Sequence, residues 1–258
     1  MTTTRRPVSL GHRAHDYPFL LKRWRKVARA TGLKLGELSP AVEPKVFYLK
    51  SKNLPGNGGI YISAGIHGDE PGGTEALITW AEENVKRLSK LPCILFPCLN
   101  PWGLINNCRR DQNGRDLNRV FQHDEVPAIK MLKALIKPYR FALSLTLHED
   151  YDAQGVYLYE IERVMPFWGE KLLEAARPVI PRDPRPTIEG RRAKNGLVRR
   201  KINMRKFPLV PEALYLHMNQ SDRTFTIETP SEFDIRLRVR AQIAVIDECA
   251  HLSGVPRP

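Results

Sequence analysis

His67 and Glu70, three positions apart in His67-Gly68-Asp69-Glu70, bring an imidazole and a carboxylate to the end of an apolar run from Gly59 to Ile66. That reads as half of a zinc site. Catalytic zinc takes three protein ligands drawn from His, Glu, Asp and Cys and leaves a further position for water, so a third ligand must come from elsewhere in the chain. His148 closes a second apolar run, Phe141 to Leu147, as His67 closes the first, with Glu149 and Asp150 beside it as rival ligands. A third run, Thr224 to Ile227, stops at Glu228-Thr229-Pro230. Water on zinc is acidified from a pKa of about 15.7 towards about 7, and a carboxylate alongside can take its proton and hand it to a leaving group. Glu228 is the candidate for that base.

The stretch from Arg109 to Arg119 supplies the groups that hydrolysis of a charged substrate would still need. Arginine offers a rigid fork of donors matched to a carboxylate. Arg119 is expected to grip a substrate carboxylate with Asn118 in support, and Arg110 to face a developing oxyanion. Asn113-Gly114 inside the stretch reads as a turn.

A histidine and a glutamate three apart are common on solvated faces, so position decides. The pair follows a β-like run, has Gly65, Gly68, Gly72 and Gly73 around it and Pro71 directly after Glu70, which makes a tight loop rather than a helix face. His12, His15 and His251 read as surface residues, and His123 and His217 are given no role. In open α/β sheets, functional groups collect outside the carboxyl ends of strands, so His67, His148 and Glu228 can share one crevice.

The elements that must position them are legible. Pro44 to Leu49, Gly59 to Ala64 and Cys93 to Phe96 read as strands, and Thr74 to Leu91, Val126 to Ile136 and Ile235 to Leu252 as amphipathic helices. This alternation argues for a sheet covered by helices. Residues 1–40 read as an amino-terminal extension. The segment 182–206 is rich in proline, arginine and lysine and reads as a long basic loop. With 258 residues, 42% of them hydrophobic, the chain is expected to form one catalytic domain, 1–258.

The formal net charge of +13 raises a nucleic-acid-binding alternative. Neither dense basic stretch, Leu21 to Lys26 or Arg191 to Lys201, shows an aromatic-interleaved binding motif or a zinc-finger spacing, so attraction of an acidic substrate is the more economical use of the charge. The four cysteines, at 93, 98, 108 and 249, lack a paired spacing and are expected to be free thiols. The first residues lack a signal-peptide core, and no apolar run approaches about 20 residues, so a cytoplasmic protein without membrane contact is expected.

Taken in order, His67-x-x-Glu70, Asn100-Pro101-x-Gly103, Arg110 through Asp116-Leu117-Asn118-Arg119, His148 and Ile227-Glu228-Thr229 resemble the zinc metallocarboxypeptidases, over a stretch from about Lys45 to about Pro230. The resemblance implies one zinc ion per chain held by His67, Glu70 and His148, Arg110 polarising the scissile carbonyl, Asn118 and Arg119 holding a terminal carboxylate, and Glu228 as base. It also implies a three-layer α/β/α sandwich around a mixed, mostly parallel sheet of about eight strands. Asp69 stands where the digestive enzymes carry a substrate-binding arginine, so His67 to Glu70 instead resembles the bacterial branch that includes murein peptide amidases. Arg115 to Phe121 also resembles the aspartoacylase and succinylglutamate desuccinylase branch. No matched motif places the tyrosine that the digestive enzymes carry upstream of the base, and Tyr215 is the nearest candidate. The expected activity is zinc-dependent hydrolysis of an amide next to a free carboxylate, in a small peptide or an N-acyl amino acid. A metal-free binding module is the alternative of another class, and the retained ligands and base speak against it.

Overall fold

Leu143-Ser-Leu-Thr-Leu-His148 and Thr224-Phe-Thr-Ile-Glu228 alternate strictly, and a period of two sends leucine, phenylalanine and isoleucine to one side of a strand and hydroxyls, imidazole and carboxylate to the other. In the computed structural model, which describes residues 13–38, 43–161, 163–202 and 209–255, both segments are strands and they are neighbours. The strands in chain order are β1 (Lys34–Glu37), β2 (Phe47–Lys50), β3 (Ile60–Ala64), β4 (Cys93–Phe96), β5 (Leu143–Asp150), β6 (Tyr157–Ile161), β7 (Thr187–Ile188), β8 (Arg191–Arg192), β9 (Leu197–Arg200) and β10 (Thr224–Pro230). Eight of them form one mixed sheet in the order β1-β2-β4-β3-β5-β10-β6-β9, while β7 and β8 pair as a separate hairpin. The central strands β4, β3, β5 and β10 are mutually parallel. Antiparallel pairing enters at β1–β2, β2–β4 and β10–β6.

The helices are α1 (Tyr17–Thr31), α2 (Pro71–Glu83), α3 (Val85–Leu88), α4 (Pro101–Asn106), α5 (Pro127–Ile136), α6 (Gly169–Ala176), α7 (Glu212–Asn219) and α8 (Ile235–Leu252). Leu143, Leu145, Leu147, Phe225 and Ile227 meet buried residues of α1, α2, α6 and α8 in one apolar cluster. Tyr61, Ile94 and Phe96, on the opposite face, meet α5 and α7 in a second. The sheet is thus sandwiched between two helical layers, as expected. The helix expected over Thr74 to Leu91 is broken: α2 ends at Asn84, whose φ and ψ are −122° and 32°, and α3 restarts after it. No helix among the described residues is long and apolar enough to cross a membrane.

Two expectations need correction. Residues 13–38 are not an appendage, because β1 pairs with β2 and α1 buries Leu20, Trp24 and Val27. Asp16 caps α1 by accepting from the Phe19 amide, and Arg23 forks from α1 onto Glu75 and Glu82 of α2, each at 2.7 Å. The described part of 182–206 is not a loop either: it forms the β7–β8 hairpin and then β9, which joins the sheet edge beside β6. Residues 203–206 lie outside the described residues. All four cysteines are free thiols, and Cys93, Cys98 and Cys249 are buried.

Candidate metal centre and cleft

β3 ends at Ala64, and the chain turns through Gly65, whose φ of +61° favours glycine. A side chain at Gly68 would collide with the Gly103 backbone, so the turn lies flat against α4. His67 is thereby set over the end of the sheet, and Glu70 stands at the N-terminus of α2 ahead of Pro71. His148, near the end of β5, is adjacent to β3 through the parallel pairing Ala64–Leu147.

The three side chains converge. His67 Nδ1 lies 2.5 Å from Glu70 Oε1, and His148 Nδ1 lies 2.9 Å from Glu70 Oε2. One potential ligand atom from each residue lies within 4.8 Å of the others, and all three residues are buried. Burial disfavours the charged form of His67, but Glu70 and Asp116 outweigh it and raise its pKa to about 9. Burial would raise Glu70, whereas His148 and His67 bring it down to about 2. Burial dominates at His148 and lowers its pKa. Two imidazole nitrogens and a carboxylate facing one buried point form a donor set that fits catalytic zinc.

Asp116 and Arg109 complete the surroundings, and neither was singled out from the sequence. Asp116 Oδ1 lies 3.3 Å from His67 Nε2, the ring nitrogen turned away from Glu70, so it can fix the orientation of the ring. Arg109 donates to Glu70 Oε1 at 3.3 Å and to Asp116 Oδ2 at 3.2 Å. Arg110, expected at this place, is not brought into the cleft: its Nη1 donates to the Gly114 carbonyl on the surface. The loop is knotted around Asp111, which accepts from the Asn113 and Arg115 amides, and this knot decides which of the two arginines turns inward. Gly114, at φ +75°, forms the expected turn.

A cavity of about 400 Å³ opens beside the three convergent residues, and Arg109, Asn118, Arg119 and Glu228 line it. Glu228 is in register with His148 on one side and Tyr157 on the other. Burial, followed by Glu70, Asp150 and Glu189, pushes its carboxyl well above the usual range. Asn118 Oδ1 accepts from the Glu212 amide at 2.9 Å, which leaves its Nδ2 as the donor end. Arg119 spends one donor on the Asn118 carbonyl. One step down the sheet, Thr146 and Thr226 are paired and share a hydrogen bond of 2.8 Å.

Tyr215 does not reach this cavity. Its ring, carried on α7, packs 5.7 Å from Phe121 against the second apolar cluster. The tyrosines lining the cavity are Tyr157 and Tyr159 of β6, whose hydroxyls donate to Asp150 and Glu189 at 2.9 and 2.6 Å. The alternation of Tyr157-Leu158-Tyr159 was the available signal. Glu149, the rival ligand, points away: its oxygens meet the Gly72 amide at 3.0 Å and Arg238 at 2.9 Å, and burial pushes its pKa up to about 7. His123 is exposed, and His217 is buried away from the cleft.

Residues 58–140 match the succinylglutamate desuccinylase/aspartoacylase catalytic domain. No curated protein matches the chain by sequence. Among solved structures, a candidate metallopeptidase from Shewanella amazonensis superposes with a TM-score of 0.81 at 18% identity, covering 93% of this chain and 94% of that one. A candidate metallopeptidase from Shewanella baltica gives 0.80 at 22% identity with the same coverage. A metallo-carboxypeptidase from Pseudomonas aeruginosa, solved with (2-guanidinoethylmercapto)succinic acid, gives 0.62 at 17% identity, covering 90% of this chain and 68% of that one.

Proposed function

From a chain with the carboxypeptidase-like fold and a segment matching the desuccinylase/aspartoacylase catalytic domain, we propose a zinc-dependent hydrolase that cleaves an amide next to a free carboxylate. The observation that carries this reading is the convergence of His67, Glu70 and His148 in a cavity that Glu228, Arg109, Asn118 and Arg119 also line.

Zinc bound by His67, Glu70 and His148 would supply Lewis acidity and an acidified water. Glu228 takes the proton from the attacking water and delivers it to the departing nitrogen. Its buried carboxyl holds a proton readily, which suits the delivery, while a cation beside it would favour the charged form needed for the uptake. Arg109 takes the role first assigned to Arg110 and presents its guanidinium to the oxyanion. Asn118 Nδ2 and Arg119 hold the substrate carboxylate and so fix the distance from it to the scissile bond. Asp116 keeps the ring of His67 from rotating.

A deacylase acting on N-acyl amino acids is the second reading, favoured by the match over residues 58–140. Free thiols suit a reducing compartment, in keeping with a cytoplasmic enzyme. The deciding experiment is mass-spectrometric product analysis of the zinc-loaded protein on free-carboxylate peptides, cell-wall peptides and N-acyl amino acids, with Glu228→Gln as control. Release of a carboxy-terminal residue makes it a peptidase and release of an acyl acid makes it a deacylase. Silence on the whole panel with zinc bound would sink both.

A further inference from the structure

Glu70 stands at the N-cap of α2, where an acidic side chain ordinarily folds back to accept from the first free amides of the helix. It makes no such bond. Its Oε1 faces His67 and Arg109, and its Oε2 faces His148 and the Glu149 amide, so both oxygens are committed to the metal centre. Pro71 at the first helical position has no amide to satisfy, which makes Gly72 the first donor of α2 in need of a partner.

That partner comes from another part of the chain. Glu149 Oε2, carried on β5, accepts from the Gly72 amide at 3.0 Å, while the amide of Glu149 donates to Glu70 Oε2 at 3.2 Å. The two bonds form a reciprocal clamp between the turn that carries His67 and Glu70 and the strand that carries His148. Like a capping box it is reciprocal, but one of its two donors is an amide of β5 and not of the helix. A Cβ at Gly72 would stand 2.3 Å from Glu149 Oε1, so glycine is what leaves room for the carboxylate in this position. Arg238 of α8 pairs with the buried Glu149 carboxylate at 2.9 Å. Gln242, one turn further along α8, donates to the His148 carbonyl at 3.1 Å and to Thr229 Oγ1 at 2.8 Å.

We propose that Glu149 is a positioning residue of the metal centre: it caps α2 in place of Glu70, so that Glu70 keeps both oxygens turned to the two histidines. The proposal rests on the reading of His67, Glu70 and His148 as a metal centre. Without the cap, the Gly72 amide competes for the Glu70 carboxylate, and the two ligand-bearing segments lose one of the two bonds that tie them. Carbonyl, amide and carboxylate partners that orient ligands commonly govern metal affinity by about 10- to 100-fold when removed.

The test uses the full chain, with Glu149→Ala, Glu149→Gln and Gln242→Leu beside the parent. Hydrogen exchange of the Gly72 amide is followed in metal-free protein, and zinc affinity by competition with a chromophoric chelator. Glu149→Ala should expose Gly72 to exchange and weaken zinc binding by about 10- to 100-fold. Glu149→Gln has one carbonyl to divide between Gly72 and Arg238, so it should lose part of both protection and affinity in step; it decides the matter if the alanine variant does not fold. Gln242→Leu should leave Gly72 protected. Loss of affinity with Gly72 still protected, or exposure of Gly72 with affinity unchanged, overturns the proposal. A parent protein that binds no zinc removes the metal-centre reading instead, while the exchange of Gly72 still reports on the cap.

Discussion

Glu228 and His148 stand side by side, residue for residue, on the adjacent parallel strands β10 and β5. The candidate base is therefore held by the same backbone ladder as a candidate ligand, and no loop has to close to bring them together. Replacing Glu228 by Gln should leave zinc content at one per chain and lower turnover by about 100- to 10,000-fold. Metal analysis and steady-state kinetics on one preparation check this. Turnover equal to that of the parent would exclude Glu228 as the base.

His148→Ala removes one of three candidate ligands and the imidazole that Glu70 Oε2 faces. Stoichiometric zinc should be lost on equilibrium dialysis. Retention of one tightly held ion per chain would take His148 out of the ligand set.

The two arginines of the 109–110 pair separate cleanly. Arg109→Ala should lower kcat/KM by about 100- to 1,000-fold, as the loss of an oxyanion donor does. Arg110→Ala gives up a surface bond to Gly114 and should stay within about twofold of the parent. The reverse pattern would restore the sequence-based assignment. Arg119→Ala should chiefly raise KM on substrates with a free carboxylate and leave amidated analogues unaffected.

Glu212 is buried, with the Tyr61 hydroxyl donating to it, and burial raises its pKa to about 7. An exposed glutamate in the unfolded chain titrates near 4.5, so the folded state binds the extra proton more tightly. The stability it contributes is complete below about pH 4.5 and is lost as pH rises towards 7, on the order of 3 kcal/mol in all. Glu212→Gln cannot ionise and should flatten that fall, so that denaturant midpoints of variant and parent diverge between about pH 4.5 and 7 and run parallel above it. Parallel curves across the range would count against the shift.

Trp24→Ala tests whether α1 belongs to the fold. Trp24 is 1% exposed and packs in the same cluster as Trp80 and Leu88, so its truncation should cost about 3–5 kcal/mol. A detached extension would lose almost nothing, and chemical denaturation distinguishes the two.

The strand-end residues were legible because each closes or follows an apolar run, and short motifs agree at His67, His148 and Glu228. What the sequence blurred has identifiable causes. Arg109 and Arg110 are adjacent in an irregular loop with no periodicity to fix facing, and only the Asp111 knot settles which turns inward. Tyr215 is nearer to Glu228 along the chain, yet antiparallel pairing of β6 with β10 brings Tyr157 beside it instead. In 182–206 the density of charge hid Leu197 and Val198, the two buried residues that make β9 a strand. The helix at 17–31 did carry signals, a capping Asp16, Pro18 in the first turn and an apolar stripe through Leu20, Trp24 and Val27, which the basic residues between them masked.

The alternation along β5 and β10 also separates two kinds of mutational risk. Leu145, Leu147, Phe225 and Ile227 answer to the helices behind the sheet, whereas Thr146 and Thr226, one residue away, line the cavity and bond to each other there. A lineage that exchanges the two hydroxyls together for another matched pair of similar size would reshape the floor of the cavity, and so the substrate it admits, while the apolar packing behind the sheet stays in place.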